Sequence, residues 1–366
     1  MFDQSFTETV IDYADFRAAD SGKWWRVDGG IQNITDAMRS YLASTSWPSP
    51  GSAAVNVTTQ SPVVALSNND TTNKISVTVA GQQPVEYDMV FNTTAMAPLQ
   101  QMDLQGMELP DNILTGIRSL SYDHATKVVI RFSKPWWNPV PDTVYGGISQ
   151  SDLPISNVVY PSWNDGPDNP AVLMVSYSWA QDATRMASLV PDYTLVAPSK
   201  DDHIVTLCLQ NLVELWKGQP NSPSFEDLYG MYMTHHAWAW EHDPWTGGAF
   251  ALFGPGQFKN VYPEFQKLFC GGKFAMCGEA LSAHHAWISG ALDSAYVKMY
   301  LFLIAKGRTG DLRKLTASIF GGGEGKHAEE MEEELVKWSV LLSHGGSHDG
   351  WGDELNLGKG KAKGSK

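Results

Sequence analysis

The sequence is poor in cysteine and in positive charge, and it lacks a long apolar run. Its 366 residues include only three cysteines, Cys208, Cys270 and Cys277, without CxxC spacing, which indicates neither a disulfide framework nor a zinc site. The formal net charge of −14 argues against nucleic acid as a partner, because phosphate binding requires a basic surface. The longest apolar run, Met299 to Ala305, is too short to span a bilayer, so we expect no membrane partner.

Metal chemistry has no clear sequence signal. The two histidine pairs, His235-His236 and His284-His285, suggest ligands, but adjacent residues do not easily bind one ion. No HExxH-type spacing occurs, so we predict no metal site. The sequence does not begin with a charged and then apolar leader segment, and the cellular compartment of the protein is not predicted.

What is present is typical of a globular chain of about two domains. Hydrophobic residues make up 43% and charged residues 18%. The segment from Trp24 predicts a turn at Gly29-Gly30 and an amphipathic helix carrying Ile34, Met38 and Tyr41. Strands are predicted for ATKVVIRF, NVVY and AVLMVSYSW, and a helix for HIVTLCLQNLVELWKG. The fold class is therefore mixed, α/β in character.

The most informative stretch is FAMCGEALSAHHAWISGALDSAYVKMYLFL, which begins at Phe274. A short strand ends at Gly278-Glu279, and a helix follows in which Ala286, Gly290 and Ser294 recur every fourth residue. That face has almost no side-chain volume, so it favours close approach of a backbone or a flat ligand. Glu279 could accept hydrogen bonds from ligand hydroxyls at the strand end. Spacing alone leaves open the alternative, tight helix packing with a surface carboxylate.

The stretch GEALSAHHAWISGALDSA resembles the C-terminal flavin-binding motif of the flavin-containing amine oxidases, and in particular L-amino-acid oxidases. Further stretches resemble that family in the expected order: WWRVDGGIQNITDAM, ATKVVIRFSKPWW, SDLPISNVVYPSW and WEHDPWTGGAFALFGPGQF. Together they cover roughly residues 5 to 306. Their joint order is more specific than any one of them.

The resemblance implies an incomplete FAD-binding, Rossmann-like domain with an inserted substrate domain of mixed sheet and helices. The implied segments are 1–24, the end of an upstream segment; 25–118 and 237–306, parts of the FAD domain; 119–236, the substrate domain; and 307–366, a flexible extension. Family members open with a strand, a GxGxxG turn and a helix that cradle the pyrophosphate. No such unit opens this sequence. We therefore expect a partial chain that is poorly stable alone and holds FAD weakly.

For the cofactor, the resemblance implies FAD. Its implied contacts are Val63, Trp240, Gly278, Glu279, Ala286, Trp287, Ile288 and Ala291. Members that attach flavin covalently carry cysteine in the GG-x-aromatic stretch, where this sequence has Ala249. The resemblance therefore implies that FAD is held by contacts alone.

For the substrate, the resemblance assigns Trp287 and Phe250 to aromatic walls and Tyr160 to the carboxylate of an amino acid. It assigns the catalytic role to Lys127, bonded through a water to the flavin. Strand alternation alone places Lys127 on the face opposite Val128, where a lysine usually meets water. The family's carboxylate-binding arginine has no counterpart that the sequence locates.

The implied reaction is oxidative deamination of an L-amino acid to a 2-oxo acid, with release of ammonia and hydrogen peroxide. The partners would be the amino acid and oxygen, and a homodimer is compatible with the family. Two alternatives remain: a monoamine or polyamine oxidase, and a non-catalytic remnant that does not hold FAD.

Overall fold

The computed structural model describes residues 4–20, 25–44, 55–137, 146–163, 165–219 and 222–319. Helices and strands alternate irregularly along these ranges. The helices are α1 (Phe6–Asp20), α2 (Gln32–Leu42), α3 (Met96–Gln100), α4 (Asp111–Ser119), α5 (Ala180–Ala187), α6 (His203–Leu215), α7 (Phe225–Met231), α8 (Gln257–Asn260), α9 (Ile288–Ala305) and α10 (Thr309–Ile319). The strands are β1 (Val63–Asn69), β2 (Lys74–Val79), β3 (Val85–Tyr87), β4 (Val90–Asn92), β5 (Tyr122–Asp123), β6 (Ala125–Phe132), β7 (Ile148–Gln150), β8 (Asn157–Val159), β9 (Ala171–Trp179), β10 (Tyr232–Ala239), β11 (Phe250–Ala251) and β12 (Phe274–Met276). The mixed fold class is confirmed.

A five-stranded antiparallel sheet forms the first structural unit, with strand order β10-β6-β9-β8-β7. Alternation along β6 sends Val128, Ile130 and Phe132 into a hydrophobic core, where each is fully buried. Helix α6 covers this face of the sheet through Ile204 and other apolar residues. The opposite face carries Lys127 and remains half-buried.

A second hydrophobic core forms between residues from β1 to α4 and residues of the 251–281 segment. In it, β12 pairs in parallel with β4, so that Met276 lies opposite Asn92. A parallel ladder is typical of a nucleotide-binding sheet. Among the described residues this ladder has two strands, and β1, β2 and β3 form a separate antiparallel sheet.

Helix α2 forms where the sequence predicts it, after a turn at Gly29 and Gly30. Its apolar side chains are nevertheless uncovered by the described residues, with Ile34 43%, Met38 53% and Tyr41 62% exposed. An amphipathic helix usually buries such a face against another element.

Helix α9 is long and apolar enough to cross a membrane by length and composition alone, with a mean hydropathy of 1.3 over 18 residues. Core helices of soluble proteins meet the same criterion, so this property is weak evidence. Helix α10 follows after a turn at Gly307. The rest of the predicted extension, residues 320–366, lies outside the described ranges.

Candidate functional site

A cavity of about 240 Å³ opens on the face of the five-stranded sheet that points away from the core. Six side chains from β6, β9, β10 and the turn after β10 line it: Lys127, Val129, Met174, His236, Trp238 and Trp240. The sequence resemblance named two of these, Lys127 and Trp240, and the structure brings them together.

Lys127 enters this cavity because Val128, next to it on β6, points into the core. Its Nζ lies 4.7 Å from the centre of the Tyr177 ring on the neighbouring strand β9. Among the described residues, no carboxylate forms a salt bridge with it. Burial lowers the pKa of the Lys127 ammonium below its ordinary value. An aromatic face, and not a carboxylate, therefore neighbours this ammonium group among the described residues.

Aromatic rings form most of the cavity wall on the β10 side. His236 stacks on Trp238 with ring centres 5.9 Å apart, and Trp240 meets Trp238 edge-on at 5.9 Å. Such a wall suits an apolar or aromatic group more than a charged one.

Phe250 joins the same region through β11, which pairs with β5 immediately before β6. Its ring meets Trp179 edge-on at 6.5 Å, and Trp179 meets Tyr177 at 5.1 Å. Contacting aromatic rings therefore connect Phe250, through Trp179, with Tyr177, which lies opposite Lys127.

Tyr160 follows β8 and packs against the buried core on the opposite face of the sheet. Its hydroxyl lies 3.0 Å from Ser149 Oγ, and its ring meets Trp216 edge-on at 6.4 Å. The structure therefore does not bring Tyr160 to the Lys127 cavity.

Glu279 lies just beyond β12, after Gly278, whose φ of +135° is one that residues with a side chain rarely adopt. Its Oε1 accepts hydrogen bonds from the backbone N–H groups of Ala251 at 2.9 Å and Ala286 at 2.7 Å. Burial raises the pKa of the Glu279 carboxyl above its ordinary value. The sequence suggested ligand hydroxyls as donors to this carboxylate, and two of the chain's own amides donate to it.

Gly290 and Ser294 lie on α9, but the prediction that Ala286 shares their helix face is wrong, because Ala286 lies before the helix with a φ of +66°. The small residues of α9 allow close approach, but on one side the approaching group is the chain itself. A side chain at Gly290 would overlap the His284 carbonyl oxygen, and Ser294 Oγ accepts a hydrogen bond from Gly278 N. The flat ligand expected against Gly290 therefore has no room there. A second side remains accessible, because Ile288 is 70% and Leu292 61% exposed.

Two further predicted cofactor contacts lie around this helix start. Trp287 caps α9, is half-buried and meets Phe16 of α1 edge-on at 5.6 Å. Ala291 N bonds to Trp287 O, which starts the helix, and no side chain caps the N-terminus. Val63 begins β1 and packs partly against the second core.

In the described part of the chain, no three His, Cys, Asp or Glu side chains are arranged to hold a metal ion.

Sequence reasoning missed Tyr177, His236 and Trp238. Their positions near Lys127 follow only from the pairing of β9 and β10 with β6.

These features coincide with a family match. The profile described as flavin containing amine oxidoreductase matches residues 9–296. The chain therefore belongs to the flavin-containing amine oxidoreductase family, as the motifs indicated.

Three relatives illustrate the match. A protein of Dictyostelium discoideum provisionally named a bifunctional amine oxidase is 36% identical over 81% of this chain and 26% of its own length. L-amino-acid oxidase 4 of Hebeloma cylindrosporum is 33% identical over 82% of this chain and 48% of its own. A flavin-dependent L-tryptophan oxidase of Lentzea aerocolonigenes is 25% identical over 83% of this chain and 56% of its own. The chain thus spans between a quarter and just over half the length of these relatives.

The residues present fit part of a flavin. The uncapped start of α9 offers backbone donors beside the exposed Ile288 and Leu292, which together suit a flat ring with a polar edge. Glu279, just beyond β12, suits hydroxyl groups such as those of a ribityl chain.

Proposed function

We propose that this chain takes part in flavin-dependent oxidative deamination of L-amino acids to 2-oxo acids, with release of ammonia and hydrogen peroxide. The observation that carries the proposal is Lys127, an amine without a carboxylate partner among the described residues, in an aromatic cavity with Trp240. The names of relatives such as L-amino-acid oxidase 4 point to the same substrate class.

The cofactor we propose is FAD, bound without a covalent link. Gly278, Glu279 and the segment from Ala286 to Ala291, which includes the start of α9, would hold its ribityl and ring portions, and Val63 its adenine. When bound, the flavin supplies acceptance of two electrons and their transfer to oxygen. The non-covalent attachment is supported by Ala249, where covalent members carry cysteine.

In this proposal Lys127 places a positive charge and a proton donor beside the reacting centre. Its pKa is lowered by burial, so it can exchange a proton more readily than an exposed lysine. Trp287 and Phe250 would flank the substrate side chain, and the amino group would lose its proton before the α-carbon is oxidised. Water then adds to the imino acid and releases ammonia.

The substrate carboxylate has two candidate partners. Tyr160 is the tyrosine implied by the resemblance, and its hydroxyl is paired with Ser149. Tyr177 is favoured by its place opposite Lys127 on β9. We expect a Tyr177→Phe variant to raise KM for amino acids more than a Tyr160→Phe variant does.

We propose that residues 25–118 and 237–306 form the flavin domain and that residues 119–236 form the substrate domain. The exposed face of α2 would pack against elements that the described residues do not include. In isolation the chain would hold FAD weakly.

The experiment that tests the proposal is a peroxide assay on the full chain saturated with FAD. L-amino acids, D-amino acids, monoamines and polyamines are supplied in parallel. Peroxide from L-amino acids supports the proposal, whereas peroxide from amines alone supports a monoamine or polyamine oxidase. Flavin that stays with the protein after heat denaturation and washing would contradict the non-covalent attachment.

The remaining alternative, a remnant without a cofactor, is tested by the visible spectrum of the same preparation. A flavin absorbance spectrum that stays identical to that of free FAD throughout a titration with the protein would support that alternative.

A further inference from the structure

Two carboxylates, the half-buried Glu279 and the fully buried Glu8, connect the same two segments of the chain. One is Glu279, whose Oε1 accepts the N–H of Ala251 on one side and of Ala286 on the other. Ala251 directly follows Phe250, and Ala286 directly precedes Trp287. This carboxylate therefore fixes the backbone beside both proposed aromatic walls.

The second carboxylate comes from the distant helix α1. Glu8 Oε2 accepts the N–H of Phe253 at 2.9 Å, and Glu8 Oε1 accepts from His285 Nδ1 at 2.8 Å. Glu8 is 0% and His285 1% exposed. A buried carboxyl group is tolerated in such surroundings because its oxygens receive hydrogen bonds.

The surroundings of Glu8 hold it in a single position. Ser5 N donates to Phe253 O at 2.8 Å, and Glu8 N donates to Ser5 Oγ at 3.1 Å. The His285 ring stacks on Phe258 with ring centres 5.5 Å apart and meets Phe253 edge-on at 4.3 Å. The start of α1 is thus tied to the 253 segment by backbone as well as side chain.

The backbone between the two carboxylate contacts is strained. Ala286 has a φ of +66°, a left-handed conformation that residues other than glycine rarely adopt. The backbone N–H of Ala286 donates to Glu279, and the side chain of the preceding residue, His285, is bonded to Glu8. Strain of this kind persists only where neighbouring contacts enforce it.

We propose that Glu8 is a positioning residue. Together with Glu279 it clamps the 250–253 segment to the 285–287 segment, and so sets the separation between Phe250 and Trp287. The clamp itself follows from the contacts above, whereas its effect on substrate selection rests on the proposed function.

The variants are Glu8→Ala, Glu8→Asp and Glu8→Gln in the full chain, with Thr7→Ala as the matched control. Thr7 precedes Glu8 on the same helix, and its side chain is exposed. Glutamine can still accept from Phe253 N and can donate to His285 Nδ1 in the neutral tautomer with its proton on Nε2. It should therefore rescue part of the clamp.

The first measurement is hydrogen exchange at the amides of Phe253 and Ala286, followed by mass spectrometry. We expect Glu8→Ala to accelerate exchange at both amides by about tenfold, Glu8→Gln by less, and Thr7→Ala not at all. Unchanged exchange at both sites in Glu8→Ala would overturn the clamp. If Glu8→Ala does not fold, unchanged exchange at both amides in Glu8→Asp, whose carboxylate is one methylene shorter, would overturn it equally.

The second measurement is the split between KM and kcat for amino acids with large apolar side chains. A shifted wall should raise KM in Glu8→Ala and Glu8→Asp, and less in Glu8→Gln, while kcat is kept, whereas simple destabilisation would reduce the active fraction and leave KM unchanged. An unchanged KM would refute the effect on substrate selection. If the unmodified chain oxidises no amino acid, the proposed function fails, and hydrogen exchange alone still decides the clamp.

Discussion

The ammonium group of Lys127 lies 4.7 Å from the centre of the Tyr177 ring, the residue opposite it on strand β9. No salt bridge to Lys127 occurs among the described residues, and burial lowers its pKa. An amine kept partly dry against an aromatic ring differs from an ordinary surface lysine, whose charge is stabilised by water.

Replacing this amine should affect turnover more than folding. We expect Lys127→Met to lower kcat for L-amino acids by about 100-fold, because a charge placed beside the reacting centre is lost. The matched control is Lys134→Met, which removes an exposed lysine just beyond the same strand. Equal kcat values in both variants, at equal flavin content, would contradict the role of Lys127.

Gly290 should tolerate no side chain. In Gly290→Ala the added Cβ would overlap the His284 carbonyl oxygen and meet Ser282 Oγ at 2.5 Å. We expect the free energy of unfolding to fall by about 1–3 kcal/mol, measured by urea denaturation. Gly230→Ala, in helix α7 with no atom near the new Cβ, should instead be neutral or gain up to about 1 kcal/mol. Similar values for both would mean that the 282–284 loop does not pack on α9.

Asp12 should make stability depend on pH in the acidic range. Burial, and then the charge of Glu8, raise its pKa from 3.8 to about 6. Between those values the folded state binds more protons than the unfolded state, so stability falls as pH rises.

Asp12→Asn should therefore stabilise the chain above pH 6 by about 1 kcal/mol, after allowance for partial exposure, and should lose this advantage below pH 4. Thermal unfolding at a series of pH values measures the difference. An advantage that is the same at all pH values would contradict the raised pKa.

Lys298 should produce the opposite trend in the alkaline range. Its Nζ is fully buried and donates to Phe265 O at 2.6 Å and Gln266 Oε1 at 3.1 Å. Burial lowers its pKa from 10.5 to about 7. Between those values the unfolded state binds more protons, so stability rises with pH.

Relative to Lys298→Met, the unmodified chain should gain up to about 1.4 kcal/mol per pH unit between pH 7 and 10. Lys306→Met, at the exposed end of the same helix, should show no such slope. A flat difference for Lys298→Met would show that the lysine keeps its charge inside the fold.

Strand β6 and helix α2 could be predicted from the sequence because the spacing of their apolar residues is regular. Strand β6 alternates as predicted, with Val128 in the core and Lys127 on the other face. Helix α2 begins just after the predicted glycine turn. Their local patterns match the elements they form.

The contacts of the site followed from the sequence only in part. The lack of volume along Ala286, Gly290 and Ser294 was visible, but not that residues 282–284 would fill the Gly290 side. Glu8 and His285 are far apart in the sequence, and no local pattern pairs them. Tyr177 depends on strand register, which a β-bulge shifts between Val128 and Val129.

The most direct test of the central claim is anaerobic mixing of the FAD-saturated full chain with an apolar L-amino acid such as L-leucine. The account predicts loss of the visible flavin absorbance, its return when oxygen is admitted, and one hydrogen peroxide for each 2-oxo acid formed. Bound flavin whose absorbance stays unchanged with L-amino acids but is lost with monoamines or polyamines would contradict it.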